Sequence, residues 1–264
     1  MPSIHPTAVV DSAAEIADDV KIGPFCIVGP NVKIDSGTEL VAQCFVQGEI
    51  TIGKNNTIYP FVSIGCPPQD LSWKGKKSFI KIGDDNTFRE GVTVHPGTEE
   101  NSSTTIGNKC FFMNNAHIAH NTTLGNNVIM VNGGICGGYS TIYDNVVLSA
   151  NIAIHQFCRV GRLAMMAGLT AISKDLPPFM TCFSRSNSIR SINLVGMKRN
   201  GFSRDTIHAI KEIFNIFYRS NINTSAAVLK VEETPDLMKY PEVVEFIEFV
   251  KSSKRGILTG NTVD

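Results

Sequence analysis

Apolar residues recur at every sixth position along the first two-thirds of the chain. From Ile4 the series runs through Val10, Ile16, Ile22, Val28, Ile34, Leu40, Val46, Ile52, Ile58 and Ile64. It resumes in phase at Ile82, Phe88 and Val94. It then continues from Ile106 through Phe112, Ile118, Leu124, Met130, Cys136, Ile142, Leu148, Ile154, Val160 and Met166 to Ile172. Only positions 70, 76 and 100 break it. Self-similarity at a fixed period marks a repeat architecture whose units bury a continuous core by stacking. The position two before the apolar residue is usually small or β-branched, as at Val20, Cys26, Val62 and Ala116, and glycine often follows it, as at Gly23, Gly53 and Gly125.

Each hexad accommodates one short strand and one turn, and three hexads close a triangular coil. Branched residues point inward and stack on their counterparts in the next coil. Glycine and small residues are expected at the tight corners, where φ turns positive. Successive coils pair as parallel strands about 4.8 Å apart. Ordinary parallel crossovers are right-handed. Resemblance to the hexapeptide solenoids, and not the periodicity, implies a left-handed parallel β-helix.

The series is interrupted near residues 66–81 and 96–104, where Pro67, Pro68, Trp73, Gly75 and four lysines, then Pro96, Gly97 and Asn101-Ser102-Ser103, read as loops thrown out from the coil. Loops on a rigid scaffold are where binding groups collect. The expected organisation is a β-helix over residues 1–185 and a C-terminal α-helical segment over 186–264. Ser203 is a candidate N-cap, with Ile207, Ile210, Phe214 and Phe217 at helical spacing behind it. A second helix is expected over 224–233, and Pro241 opens a third that ends near Gly256. This segment caps the open end of the solenoid and serves oligomer contacts.

Composition narrows the function. Lys+Arg number 24 and Asp+Glu 24, so the chain lacks the basic excess needed to grip nucleic acid or an anionic membrane. No apolar run is long enough to span a bilayer, and MPSIHPTAVVDSAAE lacks the parts of a signal peptide, so a soluble, cytoplasmic chain without membrane insertion is expected. Seven cysteines without Cys-x-x-Cys spacing read as buried free thiols rather than a disulfide framework or structural zinc site.

Histidine is scarce, six in all, yet His117, His120 and His155 fall in the solenoid. One coil on from His120 comes Gly138 and two coils on comes Gln156, so these three should share one edge of the prism, with His155 adjacent. Imidazole is the natural general base near neutral pH.

The chain resembles the UDP-N-acetylglucosamine O-acyltransferase family. IHPTAVVDSAAEI, IGPFCIVGP, PPQDL, NAHIAH, AIHQFC, DLPPF, VGMKRNGFSRDTI and YPEV carry the resemblance, which covers nearly the whole chain. It implies a homotrimer, with sites between subunits, that moves a (3R)-3-hydroxyacyl group from acyl carrier protein to the 3-position of a UDP-linked amino sugar. It implies no cofactor or metal. By the same resemblance His120 is the base and His117 lines the acyl or sugar path. The Gly138 N–H is an oxyanion donor. Gln69 and Asp70 meet the sugar, His155 and Gln156 are further substrate contacts, and Asn193 and Arg199 lie on the nucleotide side. Gly168 sets acyl length, its lack of a side chain implying about fourteen carbons rather than ten, at about 0.8 kcal/mol per buried methylene.

Departures from the family pattern qualify this. Ser72 replaces a lysine, with Lys74 or Lys76 as candidate substitutes. Asn121 follows the base where an acid is common, and Tyr139 replaces a histidine. Ser186, Val195 and Asn200 replace a histidine, a glutamate and an arginine around the nucleotide. Alternative readings are N-acyl transfer to a 3-amino sugar, a zinc-dependent carbonic anhydrase with ligands His95, His117 and His120, and an inactive binding scaffold.

Overall fold

The computed structural model describes residues 1–183 and 188–260. Its first two-thirds is the parallel β-helix that the hexads predict. Three sheets of 11, 9 and 8 strands form the walls of the prism, and consecutive strands in the chain belong to different walls. The register pairs Ile4 with Ile22, Ile22 with Leu40 and Leu40 with Ile58, so each hexad apolar residue sits on its counterpart one coil away.

The regular offset between coils is 18 residues, as between Asn56 and Thr38. Across the first interruption it is 30, as between Asn86 and Asn56. Across the second it is 24, as between His117 and Thr93. Each loop therefore inserts a whole number of hexads, and the apolar phase survives it. Both loops are shorter than the sequence suggests. Phe79–Ile82 is a strand pairing with Glu49–Ile52, and Ser103–Ile106 pairs with Phe79–Ile82 in turn. Breaks in the hexad hid these strand starts, because backbone pairing continues where the inward side chain changes.

Glycine does take positive φ at Gly65 and at the corners Gly37, Gly91 and Gly133, but most glycines that follow the apolar residue have another cause. Positive φ falls three residues after the apolar position, at Phe25, Gln43, Asn55, Asn115, Asn121, Tyr139 and Phe157 among others. Asparagine is frequent there because its short polar side chain tolerates the left-handed region. Gly23 is instead a close approach: a Cβ on it would lie 1.8 Å from the carbonyl oxygen of Val41 in the next coil.

The core is the stacked hexad column, with Phe88 and Phe112 fully buried and their rings 5.0 Å apart. Asn56 and Asn86 interrupt it with a polar ladder. Asn86 N–H donates to Asn56 Oδ1 at 3.0 Å, and Cys110 N–H donates to Asn86 Oδ1 at 2.8 Å. All seven cysteines are free thiols, and six of them are buried.

The last coil is closed by Met180–Phe183, which pairs parallel with Met165–Met166 and antiparallel with Ser188–Ile192. Strand structure thus continues past residue 185. Among the described residues five helices follow: α1 (Leu194–Arg199), α2 (Arg204–Arg219), α3 (Thr224–Glu232), α4 (Pro235–Met238) and α5 (Pro241–Lys251). Ser203 caps α2 by accepting from Thr206 N–H, and Pro241 occupies the first turn of α5. The short α1 and α4 escape helical periodicity, and α5 stops at Lys251 rather than near Gly256. Among the described residues no helix is long and apolar enough to cross a membrane.

Arg159 and Asp175 bolt helices to solenoid. Arg159 Nε donates to the buried Asp175 carboxylate at 2.8 Å, its Nη2 donates to the Phe249 carbonyl, and its guanidinium lies over the Phe249 ring. Ser253 Oγ also donates to Asp175.

Candidate active site

One corner of the prism carries the chemistry. His120 follows the strand His117–Ile118, in register with Ile135–Cys136 and Ala153–Ile154 of the next two coils. Tyr139 N–H donates to the His120 carbonyl, and Phe157 N–H to that of Gly138. His120, Gly138 and Gln156 therefore stack along one edge as expected. Beside them runs a second column of left-handed residues, Asn121, Tyr139 and Phe157.

His120 is buried to 8 % exposure, and each ring nitrogen faces a defined partner. Nδ1 lies 3.0 Å from Asn121 Oδ1. The Thr98 N–H also points at that atom at 3.0 Å, and since a backbone N–H only donates, the atom is the amide oxygen. An amide oxygen only accepts, so Nδ1 carries a proton, and in the neutral ring Nε2 then holds the lone pair. Nε2 faces Asp70 Oδ2 at 3.6 Å. Ser72 N–H and Oγ–H both donate to Asp70 Oδ1, and these bonds, with the nearby His120, hold the carboxyl below the usual carboxylate range. Ser72 thus orients Asp70 from within its own loop. Lys76 does not stand in for the missing lysine, because its ammonium is paired with Glu99.

Gly138 packs flat against the imidazole. A Cβ there would lie 2.4 Å from His120 Cε1, so only glycine lets the base sit where it does. Among the described residues nothing takes the Gly138 N–H. Tyr139 presents its ring edge-on to His120 at 5.4 Å and stacks on Phe157 at 4.9 Å.

His117 points outward from its strand with Nδ1 2.8 Å from Thr93 Oγ1. Burial, with His95 and His120 nearby, lowers its pKa to about 4, so it is neutral at physiological pH. The His95 ring lies 5.3 Å from it. His95 Nδ1 faces the carbonyls of Cys66 and Pro67 at 3.0 Å each, which makes it a donor that ties the root of the first loop to the wall. Three imidazoles are therefore neighbours, yet no group of three or more His, Cys, Asp or Glu side chains converges on a metal position among the described residues.

The remaining residues singled out from sequence are spread more widely. His155 and Gln156 are exposed on the same edge, and Gln69 is exposed beside Asp70. Gly168 lies at the opposite edge of the His117 wall, with space for a Cβ 3.4 Å from the Ala150 carbonyl. Asn193 is occupied within the fold: it caps α1 through Gly196 N–H and donates to the Leu163 carbonyl at 2.8 Å. Arg199 and Val195 are exposed on α1, and Asn200 caps its end. These α1 residues stand apart from His120 within the chain. Ser186 lies outside the described residues. Sequence reading missed Thr98, whose position in a loop carries no periodic signal.

A stacked-coil wall bearing an oriented imidazole, an adjacent carboxylate and a glycine packed against the ring fits a hexapeptide-repeat acyltransferase. Comparison with known proteins agrees. A family model described as bacterial transferase hexapeptide (six repeats) matches residues 103–138. Another, for domain 2 of UDP-N-acetylglucosamine O-acyltransferase, matches residues 175–258. An acyl-[acyl-carrier-protein]--UDP-N-acetylglucosamine O-acyltransferase of Stutzerimonas stutzeri (strain A1501) is 40% identical over 258 residues, 97% of this chain and 99% of that protein. The same-named protein of Syntrophobacter fumaroxidans is 42% identical over 257 residues, again 97% and 99%. The structure of a UDP-N-acetylglucosamine acyltransferase from Bacteroides fragilis 9343 superposes with a TM-score of 0.93 at 38% identity, covering 97% of this chain and 99% of that one. That of Francisella novicida gives 0.94 at 35% identity, covering 98% and 95%. The chain belongs to the UDP-N-acetylglucosamine O-acyltransferase family.

Proposed function

We propose that the protein transfers a (3R)-3-hydroxyacyl group from acyl carrier protein to the 3-hydroxyl of UDP-N-acetylglucosamine, the first step of lipid A synthesis, in the cytoplasm and as a homotrimer. The observation that carries this is the orientation of His120, with Nδ1–H fixed on Asn121, Nε2 facing Asp70 and Gly138 packed against the ring.

In this reading Nε2 takes the proton of the sugar 3-hydroxyl as its oxygen attacks the thioester carbonyl. The Gly138 N–H receives the developing oxyanion. The C–S bond then breaks, and the imidazolium returns its proton to the departing thiolate. Asp70, on the Nε2 side, stabilises the imidazolium while it exists and is placed to meet the sugar with Gln69. His117 stays neutral and lines the path, and His155 and Gln156 meet substrate further along the edge.

Outward from the wall below His117, Ile135, Ala153 and Ala171 occupy the equivalent positions of the next three coils. Three coil rises span about 14 Å. This apolar track ends near Gly168 and suits an acyl chain of about fourteen carbons at about 0.8 kcal/mol per buried methylene. Asn193 supports the nucleotide side by fixing α1, and Arg199, exposed on α1, is the nucleotide contact that the family resemblance implies.

The test is acyl transfer by purified protein, with (3R)-3-hydroxyacyl carrier protein as donor and UDP-N-acetylglucosamine as acceptor. Transfer to the 3-hydroxyl, with His120→Ala lowering kcat by about 10²–10⁴, is the expected result. Full activity in His120→Ala would remove the assigned base.

A further inference from the structure

We propose that Thr98 is a positioning residue for the base: together with Tyr139 it forms a directed hydrogen-bond relay that makes the second loop set the tautomer of His120. The proposal rests on the acyl-transfer reading of the site.

The direction of the relay follows from donor and acceptor chemistry. Thr98 Oγ1 lies 3.1 Å from Asn121 Oδ1, an oxygen that only accepts, so the threonine hydroxyl spends its proton there. Tyr139 Oη lies 2.9 Å from the same Oγ1, so the tyrosine donates to it. Proton donation then runs Tyr139 to Thr98 to Asn121, while His120 Nδ1–H approaches Asn121 from the other side. Thr98 N–H adds a further donor to the same amide oxygen. Asn121 N–H is itself held by Thr104 Oγ1 at 2.9 Å, at the start of the returning strand.

The base needs this support because position 121 is an amide. An amide could turn its NH₂ toward the imidazole, leaving Nδ1 bare and the proton on Nε2, where a base is useless. A carboxylate has no such wrong face. The histidine side chain in water slightly favours the proton on Nε2, so the acceptor at Nδ1 must be imposed by its surroundings. The two Thr98 donors exclude the flipped amide.

The second loop is rigid enough for this task. Ser78 Oγ donates to the Gly97 carbonyl, Phe79 N–H to that of Ser102 and Asn101 N–H to that of Lys77, and Lys76 pairs with Glu99. The first loop, which brings Asp70 to Nε2, is thereby stitched to the second, which fixes Nδ1.

Thr98→Val keeps the shape and the backbone N–H but deletes the hydroxyl, Thr98→Ser restores it, and Tyr139→Phe removes the far donor. Two readouts decide. In ¹⁵N-histidine NMR of the free protein, wild type and Thr98→Ser should show His120 with a pyrrole-type Nδ1 and a pyridine-type Nε2. Thr98→Val, which leaves only the backbone N–H on the Asn121 oxygen, should show a detectable fraction of the Nε2–H tautomer. In steady-state acyl transfer, Thr98→Val should lose about tenfold in kcat with KM within about twofold, Tyr139→Phe should lose less, and Thr98→Ser should recover most of it. An unchanged tautomer and kcat in Thr98→Val would overturn the relay. Should Thr98→Val fold poorly, Thr98→Ala, which also deletes the hydroxyl, carries the same decision. The NMR readout needs no substrate, so a wild-type protein that is inactive on this donor and acceptor would defeat the functional reading while the tautomers still decide the relay.

Discussion

At the scale of single residues, the site depends on two backbone facts about glycine and asparagine. Gly138→Ala would drive a methyl into the His120 ring, and about an ångström of displacement of a catalytic group costs on the order of 10² in rate. We therefore expect kcat to fall by about that factor, with the melting temperature measured alongside to separate a displaced base from a loss of fold. His117 titrates in the opposite sense to a stabilising ion pair. Its folded pKa of about 4 lies below the 6.5 of an unfolded histidine, so between these values the unfolded chain binds more protons. Folding stability should therefore fall as pH drops from 6.5 toward 4. Urea unfolding at pH 7.5, 5.5 and 4.5 should show a shallower decline for His117→Gln than for wild type, and equal slopes would refute the assignment. The meeting of His120 with Gly138 was legible in the sequence through coil spacing, while the roles given to them and to Asp70 came only from the family resemblance. The partners that orient them, Thr98 and Ser72, were not legible, because loop contacts follow no period.

At the scale of elements, the polar ladder inside the coil is as informative as the apolar column around it. Asn86 accepts from Cys110 N–H and donates to the Gly107 carbonyl, while its own N–H uses Asn56. Replacing it with alanine strands those two backbone groups in a dry core, at about 1–3 kcal/mol for each unsatisfied group. Chemical denaturation of Asn86→Ala should register a loss in that range or above, and a neutral result would mean that water enters the coil. The ladder also shows why the hexad rule reads walls better than loops. A parallel coil needs only one branched residue per strand to keep register, so the first and second loops could grow by whole hexads without disturbing the coils after them. Their final residues still became strand, since Phe79 and Ser103 had backbone partners waiting in the coil before.

At the scale of the whole molecule, a buried ion pair of the solenoid, Arg159–Asp175, anchors the helical segment through the Phe249 carbonyl and Ser253, so the junction does not rest on apolar contact alone. Asp175 is 1 % exposed on its side chain and meets Arg159 and Ser253. Removing one member of such a pair leaves an uncompensated charge and costs about 3–5 kcal/mol. Asp175→Ala should lose stability of that order in denaturant titration and loosen α5 in hydrogen exchange, while Asp175→Asn should lose less. A loss under about 1 kcal/mol would show that solvent already reaches the junction.

The hexad period by itself determined the coil, the inward column and the meeting of His120 with Gly138 and Gln156, because in a parallel solenoid sequence distance converts directly into height along one axis. Corner conformation, loop closure and the helical cap obeyed no such conversion. The left-handed asparagine and aromatic column, the approach of Asp70 to Nε2, the Thr98 hold on Asn121 and the internal use of Asn193 were decided only in three dimensions. There the partners come from chain segments whose separation carries no period, and hydrogen-bond direction and close packing select among them.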